Sequence, residues 1–167
     1  MKTTALGISV AILTALGAAP AFAALTSGDR TFATEAAQGG LAEVELGQLA
    51  VQKATSPQVK QFAQRMVTDH SQANQELMQV AKSQNLNLPT QVDAKQKSEM
   101  DRLRGMSGTA FDTAYMQHMV QDHQKDVADF QKQAQSGGDP ALKGFAQKYL
   151  PTLQQHLQMA QSTASKG

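Results

Sequence analysis

The chain has 167 residues, a formal net charge of +1, and neither cysteine nor tryptophan. That length suits a single domain with a real core, while a near-zero charge without basic stretches excludes nucleic acid and gives no footing on an anionic membrane. Lacking cysteine, the fold has no disulfide staple, and a metal site would have to use His, Asp, Glu or Met.

Lys2 opens the chain, Ala5 to Leu16 are largely small or apolar, and Pro20-Ala21-Phe22-Ala23 ends in an A-x-A pattern. This reads as a secretory signal peptide over residues 1–23, cleaved after Ala23, whose apolar run is too short for a membrane anchor. The expected product is exported and periplasmic, with its charge reduced to zero by the loss of Lys2. No later stretch is apolar for long enough to span a bilayer. Residues 24–30 read as a polar leader, and residues 31–164 as the folded domain.

Five helices follow. The first is expected from about Thr31 to Ala54, where Thr55-Ser56-Pro57 ends it and Ser56 and Pro57 start the next. The second continues to about Gln84, before a break at Asn85, Asn87 and Pro89. A short helix spans about Asp93 to Arg104. Thr109-x-x-Asp112 resembles a capping box for a long helix to about Gln135. Asp139-Pro140 then repeats the cap-and-proline start for a last helix to about Ala164, which Pro151 should kink. No segment alternates as a half-buried strand would. The expected architecture is all-α: an up-and-down four-helix bundle with one short connecting helix.

The apolar stripes carry the main signal. Helix two offers Val59, Phe62, Met66, His70, Ala73, Leu77 and Val80; the fourth offers Phe111, Tyr115, Met119, His123, Val127 and Phe130. The last offers Leu142, Phe145, Tyr149, Leu153, His156, Ala160 and Ala164. Three histidines thus occupy core slots of the helical period. Glu43 lies on the small-residue line Ala36, Gly40, Glu43, Gly47, Ala50 of the first helix. Such side chains are seldom buried unless paired, hydrogen-bonded or bound to a metal.

Height along the bundle tests whether they meet. Counted from the turn near Thr55, Glu43 and His70 differ by about 4.5 Å at a helical rise of about 1.5 Å per residue. From the turn near Gly137, His123 and His156 differ by about 7.5 Å on the same rise, and His118 matches His156 better. His118 therefore stands as a rival to His123, and Asp69 and Asp122 are further candidate ligands or partners. Met66, Met119 and Met159 lie near the same level, where methionine ordinarily fills core gaps.

The strings Gly39-Gly40-Leu41-Ala42-Glu43-Val44-Glu45, Phe62-Ala63-Gln64-Arg65-Met66-Val67-x-Asp69-His70, Phe111-Asp112-x-x-Tyr115 and Leu150-Pro151-Thr152-Leu153-x-x-His156-Leu157 are also characteristic. Together with His123 they resemble the exported bacterial family catalogued as domain of unknown function 4142, placed in the ferritin-like superfamily. The resemblance covers about Phe32 to Gln161 and implies a ferritin-like bundle; the family has no settled activity. Ferritin-like di-iron proteins use Glu-x-x-His on two helices. Val67, Val120 and Leu153 occupy the corresponding positions here, so di-iron chemistry is not expected.

One glutamate with several histidines suits a single zinc, copper or nickel ion. The functional expectation is a non-enzymatic exported bundle whose core cluster of Glu43, His70, His123 and His156 binds one transition metal. One alternative is a metal-free envelope bundle that acts through a protein partner or as a homo-oligomer, its cluster being a hydrogen-bonded network. Another is a mononuclear metal enzyme.

Overall fold

The computed structural model describes residues 25–165; the signal peptide and its cleavage point lie outside them. Five helices occupy this span: α1 (Ser27–Lys53), α2 (Pro57–Ser83), α3 (Ala94–Arg104), α4 (Gly108–Ser136) and α5 (Pro140–Ala164). No strand is present among the described residues. Nor, among them, is any helix long and apolar enough to cross a membrane. The all-α class expected from periodicity is what the chain adopts.

The helices start where local chemistry satisfies their first N–H groups. Ser56 caps α2 ahead of Pro57, Asp93 and Gln96 form a reciprocal capping box on α3, and Asp139 accepts from the Leu142 amide at 2.8 Å on α5. α5 runs continuously through Pro151.

Two starts differ from the sequence reading. α1 begins at Ser27, four residues before the expected start, because Thr26 and Asp29 form a capping box. The residues read as a polar leader therefore include the first helical turn. Asp29 is buried, and its carboxylate also accepts from Gln133 Nε2 at 2.8 Å and Gly138 N at 3.1 Å. A first turn that looks solvated in sequence is thus tied to the end of α4. Burial pushes the Asp29 carboxyl up, but hydrogen bonds from Gln133 and Thr26 outweigh it and bring it to about 2.

The second difference concerns Asp112. α4 starts at Gly108, its N-cap Ser107 makes no side-chain cap, and Asp112 does not close a box with Thr109. Its carboxylate instead reaches the α1–α2 turn, accepting from Thr55 N at 3.0 Å and Ser56 N at 2.8 Å.

These two aspartates fix the topology. Asp112 holds the start of α4 against the end of α1, and Asp29 holds the start of α1 against the end of α4, so the two helices run antiparallel. α2 and α5 are also antiparallel, as the Tyr149–Glu76 and His156–Asp69 bonds show. In chain order the long helices run up, down, down, up. The connection carrying α3 returns the chain along the bundle, a single long crossover in place of the strict up-and-down alternation expected from sequence.

α1 approaches α2 closely along its small-residue line. A Cβ on Gly40 would collide with the Asn74 amide, and one on Gly47 would lie 2.8 Å from Val67 Cγ2. The apolar interior then divides in two. One cluster, near the α1–α2 turn, contains Leu46, Phe62, Met66, Phe111, Tyr115 and Met119. The other, near the α4–α5 turn, contains Phe32, Leu77, Phe130, Phe145 and Leu153. The polar core residues lie between them.

Removing the Asp112 carboxylate leaves the Thr55 and Ser56 amides without their acceptor. Asp112→Ala should cost about 2–3 kcal/mol, the range for losing hydrogen bonds to a charged group, measured by urea denaturation. A change within error of zero would contradict this role.

Candidate metal centre

His70 comes from α2, His123 from α4 and His156 from α5, each from the core stripe of its helix, and all three are buried. Their ring centroids are 5.6 Å (His70–His123), 5.4 Å (His70–His156) and 5.4 Å (His123–His156) apart, nearly an equilateral triangle. One ring nitrogen from each lies within 4.8 Å of the others. The helix ends account for the levelling. With α4 ending at Ser136 and α5 starting at Pro140, the His123–His156 offset shrinks to about 4.5 Å, which equals that of Glu43 and His70 measured from Lys53 and Pro57.

Hydrogen bonds assign the protons on two of the rings. His123 Nδ1 is 2.9 Å from the Met119 carbonyl. A carbonyl only accepts, so Nδ1 carries the hydrogen and Nε2 the lone pair. His156 Nε2 is 2.8 Å from Asp69 Oδ2, which also receives Arg65 Nε at 2.9 Å. Burial pushes the Asp69 carboxyl up, but bonds from Arg65 and His156 hold it below its ordinary value, as a carboxylate. His156 therefore donates through Nε2 and keeps its lone pair on Nδ1. The fully buried ring nitrogens without partners are these two, His123 Nε2 and His156 Nδ1, together with His70 Nε2.

Burial, reinforced by the neighbouring rings, holds His70 well below the ordinary imidazole value. Burial and His156 bring His123 down to about 4. His156 is lowered by burial against the opposing pull of Asp69. All three are thus biased towards the neutral form that a metal requires.

Glu43 is fully buried beside this triangle, and neither of its oxygens has a hydrogen-bond partner. Oε1 lies 3.6 Å from His123 Nδ1, the nitrogen committed to Met119, and the carboxyl is not part of the close set of ring nitrogens. Burial first, then the carboxylates of Asp122 and Asp126, push Glu43 well above its ordinary value. Asp122 is half-buried next to Glu43, and Asp69 stands behind His156. His118 lies elsewhere: its Nδ1 is 3.8 Å from Glu99 Oε1, in a groove of about 1100 Å³ between α1, α3 and α4. Met66 and Met119 are buried in the apolar cluster near the α1–α2 turn.

Two further residues bear on the site: Tyr115, which the sequence placed on the core stripe without a site role, and Asp126, which it did not single out. The Tyr115 hydroxyl is buried without a partner near Glu43. Asp126 lies between the outer groove and a cavity of about 30 Å³ beside His70 and His156. Its place one turn after His123 was the available signal for it.

The architecture and site together define an all-α bundle with a buried three-histidine cluster. The sequence profile of the family described as domain of unknown function (DUF4142) matches residues 14–163, and the chain belongs to that family. No curated protein matches it. Among solved structures it resembles a DUF305 fragment from Deinococcus radiodurans, with a TM-score of 0.75 and 10% identity over 86% of this chain and 99% of that one. It also resembles a DUF305 protein from Streptomyces coelicolor, designated a candidate secreted protein. That match has a TM-score of 0.68 and 14% identity over 80% of this chain and 88% of that one. At such identities the likeness concerns the fold, and neither description places its protein among the ferritins.

A histidine held neutral destabilises the folded state on acidification, because the unfolded chain takes the proton first. For His123 the loss begins near its ordinary 6.5 and is complete near 4, a difference of about 3 kcal/mol. Glu43, with its raised pKa, acts in the opposite direction. Comparing metal-free wild type with His123→Gln isolates the His123 contribution. The variant should show a flatter fall in urea-measured stability between about pH 6.5 and 4; parallel curves would contradict the assignment.

Proposed function

We propose that this protein binds one transition metal ion through His70, His123 and His156. The observation that carries this reading is the convergence of three buried imidazole nitrogens, each without a hydrogen-bond partner. Leaving three such ring nitrogens unpaired in a core is costly, and a shared cation would satisfy them together. A metal-free network would instead pair the rings with one another or with Glu43, and those bonds are absent among the described residues.

Three neutral imidazoles form a borderline-soft donor set suited to zinc, copper or nickel. A single ion fits them better than a di-iron pair, because no carboxylate lies within the ring-nitrogen set to bridge two irons. Asp69 would act as a positioning residue, its bond to His156 Nε2 fixing the tautomer that presents Nδ1 to the ion. Glu43, proposed from sequence as a ligand, better fits the role of a neighbouring carboxyl, held protonated in the metal-free core, that would ionise to offset the charge of a bound ion. We propose binding rather than catalysis, and export through the leader at residues 1–23. N-terminal sequencing of protein from the envelope fraction should begin at Ala24; a start at Met1 would contradict export by cleavage.

Elemental analysis of the purified protein should find about one zinc, copper or nickel per chain, the stoichiometry of a single mononuclear site. His70→Ala and His156→Ala should lose that ion, and Asp69→Asn should weaken binding by about 10–100-fold in calorimetric titration. Metal content unchanged in both histidine variants, or no binding by the wild type, would overturn the proposal.

A further inference from the structure

The three-histidine reading leaves the ion one ligand short. Tetrahedral sites require a fourth donor, and catalytic or exchangeable sites supply it from solvent. Among the described residues, no carboxylate joins the three ring nitrogens within the same distance. The His123 side of the cluster is closed by Phe62, whose ring centroid is 6.3 Å away, and by the Met119 carbonyl. The opposite side is open: His70 and His156, but not His123, line the cavity of about 30 Å³.

That volume suits one or two water molecules or a linear triatomic ligand, since a water needs about 10–15 Å³ of such space. Leu77, Phe130, Phe145 and Leu153 make most of its wall apolar. Thr152, Asn74 and Tyr149 offer neutral polar atoms for orienting a small ligand. The two carboxyls that also line the cavity are Asp126 and Asp69, the latter already paired with Arg65 and His156. Gly40 lines the cavity, Gly39 lines the outer groove, and Asp126 lines both.

We propose that the fourth coordination position of the ion faces this cavity and takes a small exogenous ligand, water or hydroxide in the resting protein and azide-sized anions in its place. The inference rests on the three-histidine metal reading and deepens it, because it makes the site exchangeable. Binding is simple substitution: the bound water leaves, one anion lone pair forms the new bond to the ion, and no electron is transferred. A large ligand is excluded by volume. The surrounding apolar wall favours a singly charged anion that reduces the charge of the loaded centre.

The test uses the Co²⁺-loaded protein, whose visible d–d bands report the ligand set. Titration with azide should shift the bands saturably. Ala73→Leu, which fills the cavity from α2, should retain Co²⁺ and weaken azide binding by about tenfold or more, well beyond the scatter of such titrations. Circular dichroism checks that the variant is folded, and the wild-type titration stands whether or not it is. Absence of Co²⁺ binding by the wild type overturns the metal reading itself. Bound Co²⁺ whose bands ignore azide, or azide affinity unchanged in folded Ala73→Leu, overturns the open position while leaving the metal reading intact.

Discussion

Four polar side chains buried between two apolar clusters are the constraint on which this bundle turns. His70, His123, His156 and Glu43 occupy a layer where leucine would pack without cost, and the helices must bring them level for any of them to be satisfied. The means are visible at both ends of the molecule. Asp112 fastens the start of α4 to the α1–α2 turn, and Asp29 fastens the start of α1 to the α4–α5 turn. Register between α1 and α4 is therefore set twice, by charged hydrogen bonds roughly a helix length apart. Gly40 and Gly47 bring α1 close enough to α2 for Glu43 to reach the layer.

Within that layer the hydrogen bonds are unequal, and the inequality is informative. Met119 and Asp69 each take one proton from a histidine and turn its lone pair inwards, whereas the inward nitrogens have no partner. A network evolved only to specify helix register would close on itself. This one is closed on its outer rim and open at its centre. Glu43 follows the same logic from the other side, a buried carboxyl held towards its protonated form beside His123.

Much of this was legible in the sequence, for a physical reason: helical periodicity assigns faces reliably even when helix ends are uncertain. His70, His123 and His156 were placed on core stripes by counting alone, and they meet. Their heights were less legible. Height kept His118 in contention, and with the ends at Ser136 and Pro140 it still matches His156 in height. What separates it is its face of α4, about 140° round the helix from His123, which turns it into a groove facing Glu99. Long-range caps were illegible. Asp112 looked like a local capping residue and Thr26–Asp29 like a solvated leader, because a carboxylate's partner across the fold leaves no periodic trace. The direction of α4 escaped for the same reason, being set by the crossover and not by any stripe. Asp126 was overlooked because charged residues off the apolar stripe read as solvated.

The central claim is that three named nitrogens, and not a fourth histidine, hold one ion. Nitrogen-15 NMR of the imidazoles tests it directly, since the chain has four histidines and Nδ1 and Nε2 shifts separate tautomer and ligation. On addition of one equivalent of Zn²⁺, the account predicts ligation shifts at His70 Nε2, His123 Nε2 and His156 Nδ1, with His118 unmoved. Ligation of His118, or a spectrum that Zn²⁺ leaves unchanged at the three core rings, would contradict it.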